Sequence, residues 1–133
     1  MKSNKGFTLI ELLAVIVILA IIALIATPLT LNVINDARTK ADKNSAYGVL
    51  DAARLYYAEQ LLKDNTQFGI AQQTVAVSAL SISGDGPTNV TESGPTVTYA
   101  NDGTITISSM KFKNGGCFIV DAGQLKDETC PTE

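Results

Sequence analysis

Residues 5–28 read KGFTLIELLAVIVILAIIALIATP. From Leu12 to Ala26 every side chain is apolar, and no charge stands between Glu11 and Asp36. Roughly 20 apolar residues cross a hydrocarbon core of about 30 Å as a helix. Phe7 to Leu31 supplies that length, with Glu11 close to one end. A carboxylate near the centre of a bilayer costs about 2.5–3.5 kcal/mol on insertion scales. Glu11 therefore needs a compensating partner.

The stretch ahead of the apolar run, MKSNKG, is short, polar and basic. Its lysines obey the positive-inside rule, which keeps the N-terminus cytoplasmic and sends the C-terminal part outward. A secretory signal is cut after its apolar stretch, at small residues. Here the apolar stretch is long enough to remain as an anchor, and the conspicuous small residue, Gly6, precedes it. Cutting between Gly6 and Phe7 removes the leader, keeps the anchor and creates an α-amino group at Phe7. With an ordinary pKa of about 7.7–8.0, that amine is mostly cationic at neutral pH. It can neutralise Glu11 one helical turn along, in its own chain or in a staggered neighbour. Leaving one member of a buried pair alone costs about 3–5 kcal/mol, so such a pair fixes register between stacked copies. The plainer alternative is a signal anchor whose Glu11 sits among the lipid headgroups.

This N-terminus resembles the signature of type IV prepilins and pseudopilins: the Gly6-Phe7 junction, FTLIE with Glu11 at the fifth mature position, and Pro28 at the twenty-second. The likeness is close over residues 1 to about 30, weaker to about 63 and absent as a motif beyond. It implies cleavage after Gly6 by a membrane-embedded prepilin peptidase and N-methylation of Phe7, which preserves the positive charge. It also implies assembly by an ATPase and an inner-membrane platform into an extracellular filament of identical copies. Pro28 removes one backbone hydrogen bond inside the helical pattern, and a kink is the expected consequence.

Beyond Leu31 the pattern stays helical but turns amphipathic. Ile34, Ala37 and Ala41 make a short stripe; Ala46, Leu50, Ala53, Tyr57 and Leu61 continue it. Asp64-Asn65 and Gly69 are stop signals. The chain accordingly divides into a leader at 1–6, a transmembrane or filament-core helix at 7–31, its amphipathic continuation at 32–65, and a β-rich globular part at 66–133. In the last, Thr96–Ala100 and Thr104–Ser109 flank NDG, and NGG at 114–116 separates Met110–Lys113 from Cys117–Asp121. The apolar phase moves from Ile105 and Ile107 to Met110 and Phe112, which a β-bulge at Ser108-Ser109 explains. Thr74–Ile82 reads as a connection with at most a short strand or turn. The expected fold class is α+β: a long helix packed on a small antiparallel meander.

Composition narrows the chemistry. Histidine and tryptophan are absent, which removes the commonest general base and metal ligand. Taking Lys2 and Lys5 from a net charge of −3 leaves −5, so nothing draws the mature chain to nucleic acid. Cys117 and Cys130 suit a disulfide in an exported domain; two free thiols are the other reading. Asp121, Asp127 and Glu128 could hold calcium, though solvated loop acids explain them better, and the expected metal and cofactor set is empty. Asn89-Val90-Thr91 matches a glycosylation sequon, a weak signal. No nucleophile–base pair or phosphate loop is present, so an enzyme is not expected. The expected function is that of a pilus subunit. A pseudopilin of a secretion or DNA-uptake apparatus is the alternative, and an unassembled anchored binding module stands third.

Overall fold

A computed structural model describes residues 6–63, 68–90 and 94–130. Lys2 and Lys5 of the leader, the Asp64-Asn65 stop signal and Thr91 of the sequon lie outside the described residues. The chain separates into two compact units, Met1–Ala37 and Arg38–Glu133. One helix, α1 (Leu9–Leu62), begins in the first and ends in the second.

The second unit contains five strands, β1 (Gln73–Ala76), β2 (Thr96–Tyr99), β3 (Ile105–Lys111), β4 (Cys117–Asp121) and β5 (Gln124–Glu128). They pair antiparallel in the order β1-β2-β3-β4-β5, a meander, and the fold class is α+β. The β2–β3 and β3–β4 turns are three-residue hairpin loops. Ala100 N donates to Thr104 O and Phe112 N donates to Gly116 O, with Gly103 (φ 83°) and Gly115 (φ 94°) in the left-handed region. The register of β3 on β4 shifts between Ile107 and Met110. The bulge therefore sits at Ser108-Ser109, and it lets Ile107 and Met110 both face the core. Ser108 Oγ accepts from Thr96 N at 2.8 Å, so a side chain replaces the interrupted ladder there.

The helix presents Ala46, Val49, Leu50 and Ala53 to the inward residues of β2, β3 and β4. Two alanines on that face allow close approach to the sheet. Tyr99 crosses the interface, its phenol donating to Ala53 O at 3.0 Å. Burial, with a smaller contribution from Tyr56, holds that phenol above its ordinary pKa.

The Thr74–Ile82 connection holds the short strand β1 and a 3₁₀ turn at Val77–Ala79, as the sequence allowed. Two sequence expectations need correction. Ile34, Ala37, Ala41 and Leu61 are exposed rather than packed; the buried residues of α1 run from Asp42 to Ala53 and include Val49. The acids after Asp121 are not in a loop, since Asp127 and Glu128 lie in β5. That strand follows a two-residue turn at Ala122-Gly123, both with positive φ (49° and 75°), the geometry of a type I′ hairpin. Gly123 suits this region but alanine rarely occupies it, so the pair lacks the Asn-Gly or Asp-Gly signal of such a turn.

Asp42 is the one buried charged residue among those described, at 3% exposure. Its carboxylate accepts from Asn114 Nδ2 at 2.7 Å and from Gly116 N at 2.9 Å. A Cβ at Gly116 would stand 2.8 Å from the Phe118 ring and 2.9 Å from Asp42 Cβ, so glycine is required for this approach. The helix and the β3–β4 turn are thus joined by one carboxylate. Nearby, Lys43 pairs with Asp127 of β5 at 3.1 Å, and a disulfide links Cys117 to Cys130 across a Cα separation of 5.2 Å.

Asp42→Ala leaves two donors unpaired, and thermal unfolding of the detergent-solubilised chain should show a loss of about 1–3 kcal/mol. Ala122→Asn should act in the opposite direction by roughly 0.5–1 kcal/mol, because asparagine tolerates positive φ; an unchanged or lower melting temperature would contradict the turn assignment.

Candidate assembly site

The apolar half of α1 opens with an exchange of hydrogen bonds. Glu11 Oε2 accepts from Thr8 N at 2.8 Å and from Thr8 Oγ1 at 2.7 Å, while Glu11 N lies 3.4 Å from Thr8 Oγ1. This is a capping box, in which the residue before the helix and the third residue inside it satisfy each other. Phe7 precedes it with its ring 90% exposed, and a Cβ on Gly6 would meet nothing within 4 Å.

With Gly6 attached, the Phe7 nitrogen is a peptide amide and has no charge to offer Glu11. Thr8 holds the carboxylate instead. Both contacts to the carboxylate fall on Oε2, leaving Oε1 as the face that a cation can reach. The T-x-x-E spacing of Thr8 and Glu11 was visible in the sequence, yet the anomalous charge drew the reading to Phe7 alone.

Further along, α1 passes through Pro28 as one assigned helix. Thr27 Oγ1 donates to Ala23 O at 2.6 Å and Thr30 Oγ1 donates to Ala26 O at 2.7 Å. Both hydroxyls are thereby satisfied within the helix, as an apolar surrounding demands. From Leu9 to Val33 the large apolar side chains are exposed, and this helix is long and apolar enough to cross a membrane.

The other candidate sites resolve differently. Among the described residues, no group of three His, Cys, Asp or Glu could hold a metal ion. Asp121 pairs with Lys126 and Asp127 with Lys43, so two of the three suggested calcium ligands are engaged separately. Asn89 has both ends of its amide in use: Nδ2 donates to Ser109 O and Oδ1 accepts from Lys111 N, each at 3.0 Å. With Thr88 N donating to Lys111 O at 2.7 Å, this segment extends the pairing of β3 beyond the end of β2. The nitrogen a glycan would occupy is turned into the sheet.

Thr8→Ala should remove one of the carboxylate's two contacts and the acceptor of Glu11 N, and weaken the first turn by about 1 kcal/mol. Amide exchange in micelles should then quicken several-fold at Leu9 to Leu12, with protection at Val49 to Ala53 unaffected. Equal protection of the first turn in both proteins would refute the cap.

Residues 1–27 match the family model for the prokaryotic N-terminal methylation motif. No curated protein and no solved structure matches the chain. The match spans the basic leader, Gly6, Phe7, the capping box and most of the exposed apolar helix. The chain carries the hallmark of type IV pilin and pseudopilin prepilins, joined to an α+β arrangement like that of type IV pilins.

Proposed function

We propose that this chain is the structural subunit of a type IV pilus, cleaved after Gly6, methylated at Phe7 and assembled into an extracellular filament through residues 7–31. The observation that carries this reading is the exposed apolar surface of Leu9–Val33, opened by a single carboxylate held at its edge. A bilayer covers such a helix before assembly, and identical helices cover it afterwards. Glu11 then has two successive partners, Thr8 in the precursor and a Phe7 amine in the stack. The C-terminal unit has its own core and disulfide, which suits a domain displayed outside the membrane. A structural part, rather than catalysis, is the role we assign it.

The partners of this reading are prepilin peptidase, an assembly ATPase with its inner-membrane platform, the membrane itself and further copies of the chain. A pseudopilin serving secretion shares all of them. For DNA uptake the surface is less suited: Lys43, Arg54, Lys63, Lys113 and Lys126 each pair with a carboxylate. Neutralised in this way, they offer little counterion release to a phosphate backbone.

Mass spectrometry of the protein from cells should give a mature chain beginning with methylated Phe7. Gly6→Arg should leave the full-length precursor in the membrane. Glu11→Ala should be inserted and processed yet yield few or no filaments by electron microscopy. A mature chain starting elsewhere would refute the processing, and normal filaments from Glu11→Ala would refute the register role.

A further inference from the structure

The two edges of the sheet are treated unequally. β5 carries Lys126, Asp127 and Glu128 along its length, the usual protection of an exposed edge against pairing. β1, at the other edge, reads QTVA and is flanked by Gln72, Val77 and Ser78, with no charge and no proline. Thr74 and Ala76 are exposed, and Val75 is only half-buried against the core.

The direction of the backbone groups on β1 follows from one bond. Val77 N donates to Pro95 O at 2.9 Å, and the register runs Val75↔Val97 and Gln73↔Tyr99. Hydrogen-bonded positions alternate along an antiparallel pair. Gln73, Val75 and Val77 therefore direct their backbone groups toward β2, whereas Thr74 and Ala76 direct theirs outward. Among the described residues no backbone group bonds to either from that side.

We infer that the β1 edge pairs with β1 of a second copy of this chain, antiparallel and across a two-fold axis at Val75. Thr74 then exchanges both backbone bonds with Ala76 of the second copy, and Ala76 with its Thr74. The two Val75 side chains meet in the closer, non-bonded position and complete each other's burial. Self-complementarity selects this occupant: the outward backbone groups of Thr74 and Ala76 flank Val75 symmetrically, so a second β1 supplies each with a donor and an acceptor. The net charge of −5 on each copy without the leader lysines opposes the approach, and a strand free of charge is where that cost is least. On the outer face the neighbouring row is Thr74, Thr98 and Thr106, equally uncharged.

A two-fold contact closes on two copies and cannot propagate along a polar filament. It must join copies in different filaments, or in the membrane before assembly. A four-residue strand pairs weakly, but repetition along two filaments multiplies the contact by avidity. The filament form of this inference rests on the proposed function; the pairing itself does not.

The register makes the test specific. Facing residues in such a pair stand about 5.5 Å apart, within disulfide reach, whereas two Thr74 positions are diagonal, roughly 7–8 Å apart. Full-length Thr74→Cys and Ala76→Cys chains, mixed in detergent and oxidised, should give a mixed dimer on a non-reducing gel. Its yield should exceed that of either variant alone by at least about tenfold, given that geometry. Thr74→Pro removes an outward N–H at an edge that tolerates proline. It should keep the circular dichroism of the parent yet lose lateral bundling of purified filaments, read by low-speed sedimentation. Ala76→Lys should do the same by charge. No mixed dimer, equal dimers from each single variant, or cross-linking of Thr74→Cys to an unrelated protein instead would each overturn the pairing. Filaments that form but never bundle would sink the inference and leave the pilus reading standing. Mixed dimers from a chain that forms no filaments would do the reverse.

Discussion

A carboxylate removed from water needs a donor at every stage of its life, and two carboxylates impose that constraint on this chain. Asp42 meets it inside the folded unit, where Asn114 and the Gly116 amide are its donors. Its position decides where the helix begins to be covered by the sheet, and it dictates a glycine at the end of the β3–β4 turn. Glu11 meets the same constraint at the edge of an apolar helix, first through Thr8. In the function we propose, cleavage after Gly6 turns the Phe7 amide into an amine and makes a second donor with a full charge available. Each carboxylate is costly to leave without its donors. Their value lies in allowing only one arrangement around them.

The parts of the fold legible in the sequence were those written in periodicity. The apolar run, the helical steps from Ala46 through Leu50 to Ala53, and the phase change between Ile107 and Met110 each describe a face, and faces follow from spacing. The hairpins at Asn101–Gly103 and Asn114–Gly116 were legible because glycine marks a left-handed residue. What escaped depended on single contacts between distant segments. Asp42 reads as a solvent-facing charge until the 114–116 turn is brought against it. β5 was hidden because Ala122 occupies a conformation its side chain disfavours, and because QLKDE lacks β-branched residues. Leu61 obeys the stripe in spacing, but the last α1 side chains packed against the core are Tyr56 and Tyr57.

The N-terminal site shows a related limit. Its residues were identified by their oddity, a charge in an apolar run and a glycine before it. The local geometry was overlooked because a capping box is commonplace. Thr8 and Glu11 satisfy each other as they would at any helix start, and the unusual element is only the surrounding medium. Asn89 is the converse case: the residue that opens a modification signal spends its side-chain amide, in the fold, on Ser109 and Lys111 of β3.

The disulfide joins the first residue of β4 to the segment just past β5, enclosing the β4–β5 hairpin with a sequence separation of 13. Asp42 of α1 holds the Gly116 amide one residue before the crosslinked Cys117, so a pull on this part of the helix bears on the start of the covalent ring. While the disulfide is intact the ring cannot lengthen, and force cannot draw out the hairpin it encloses.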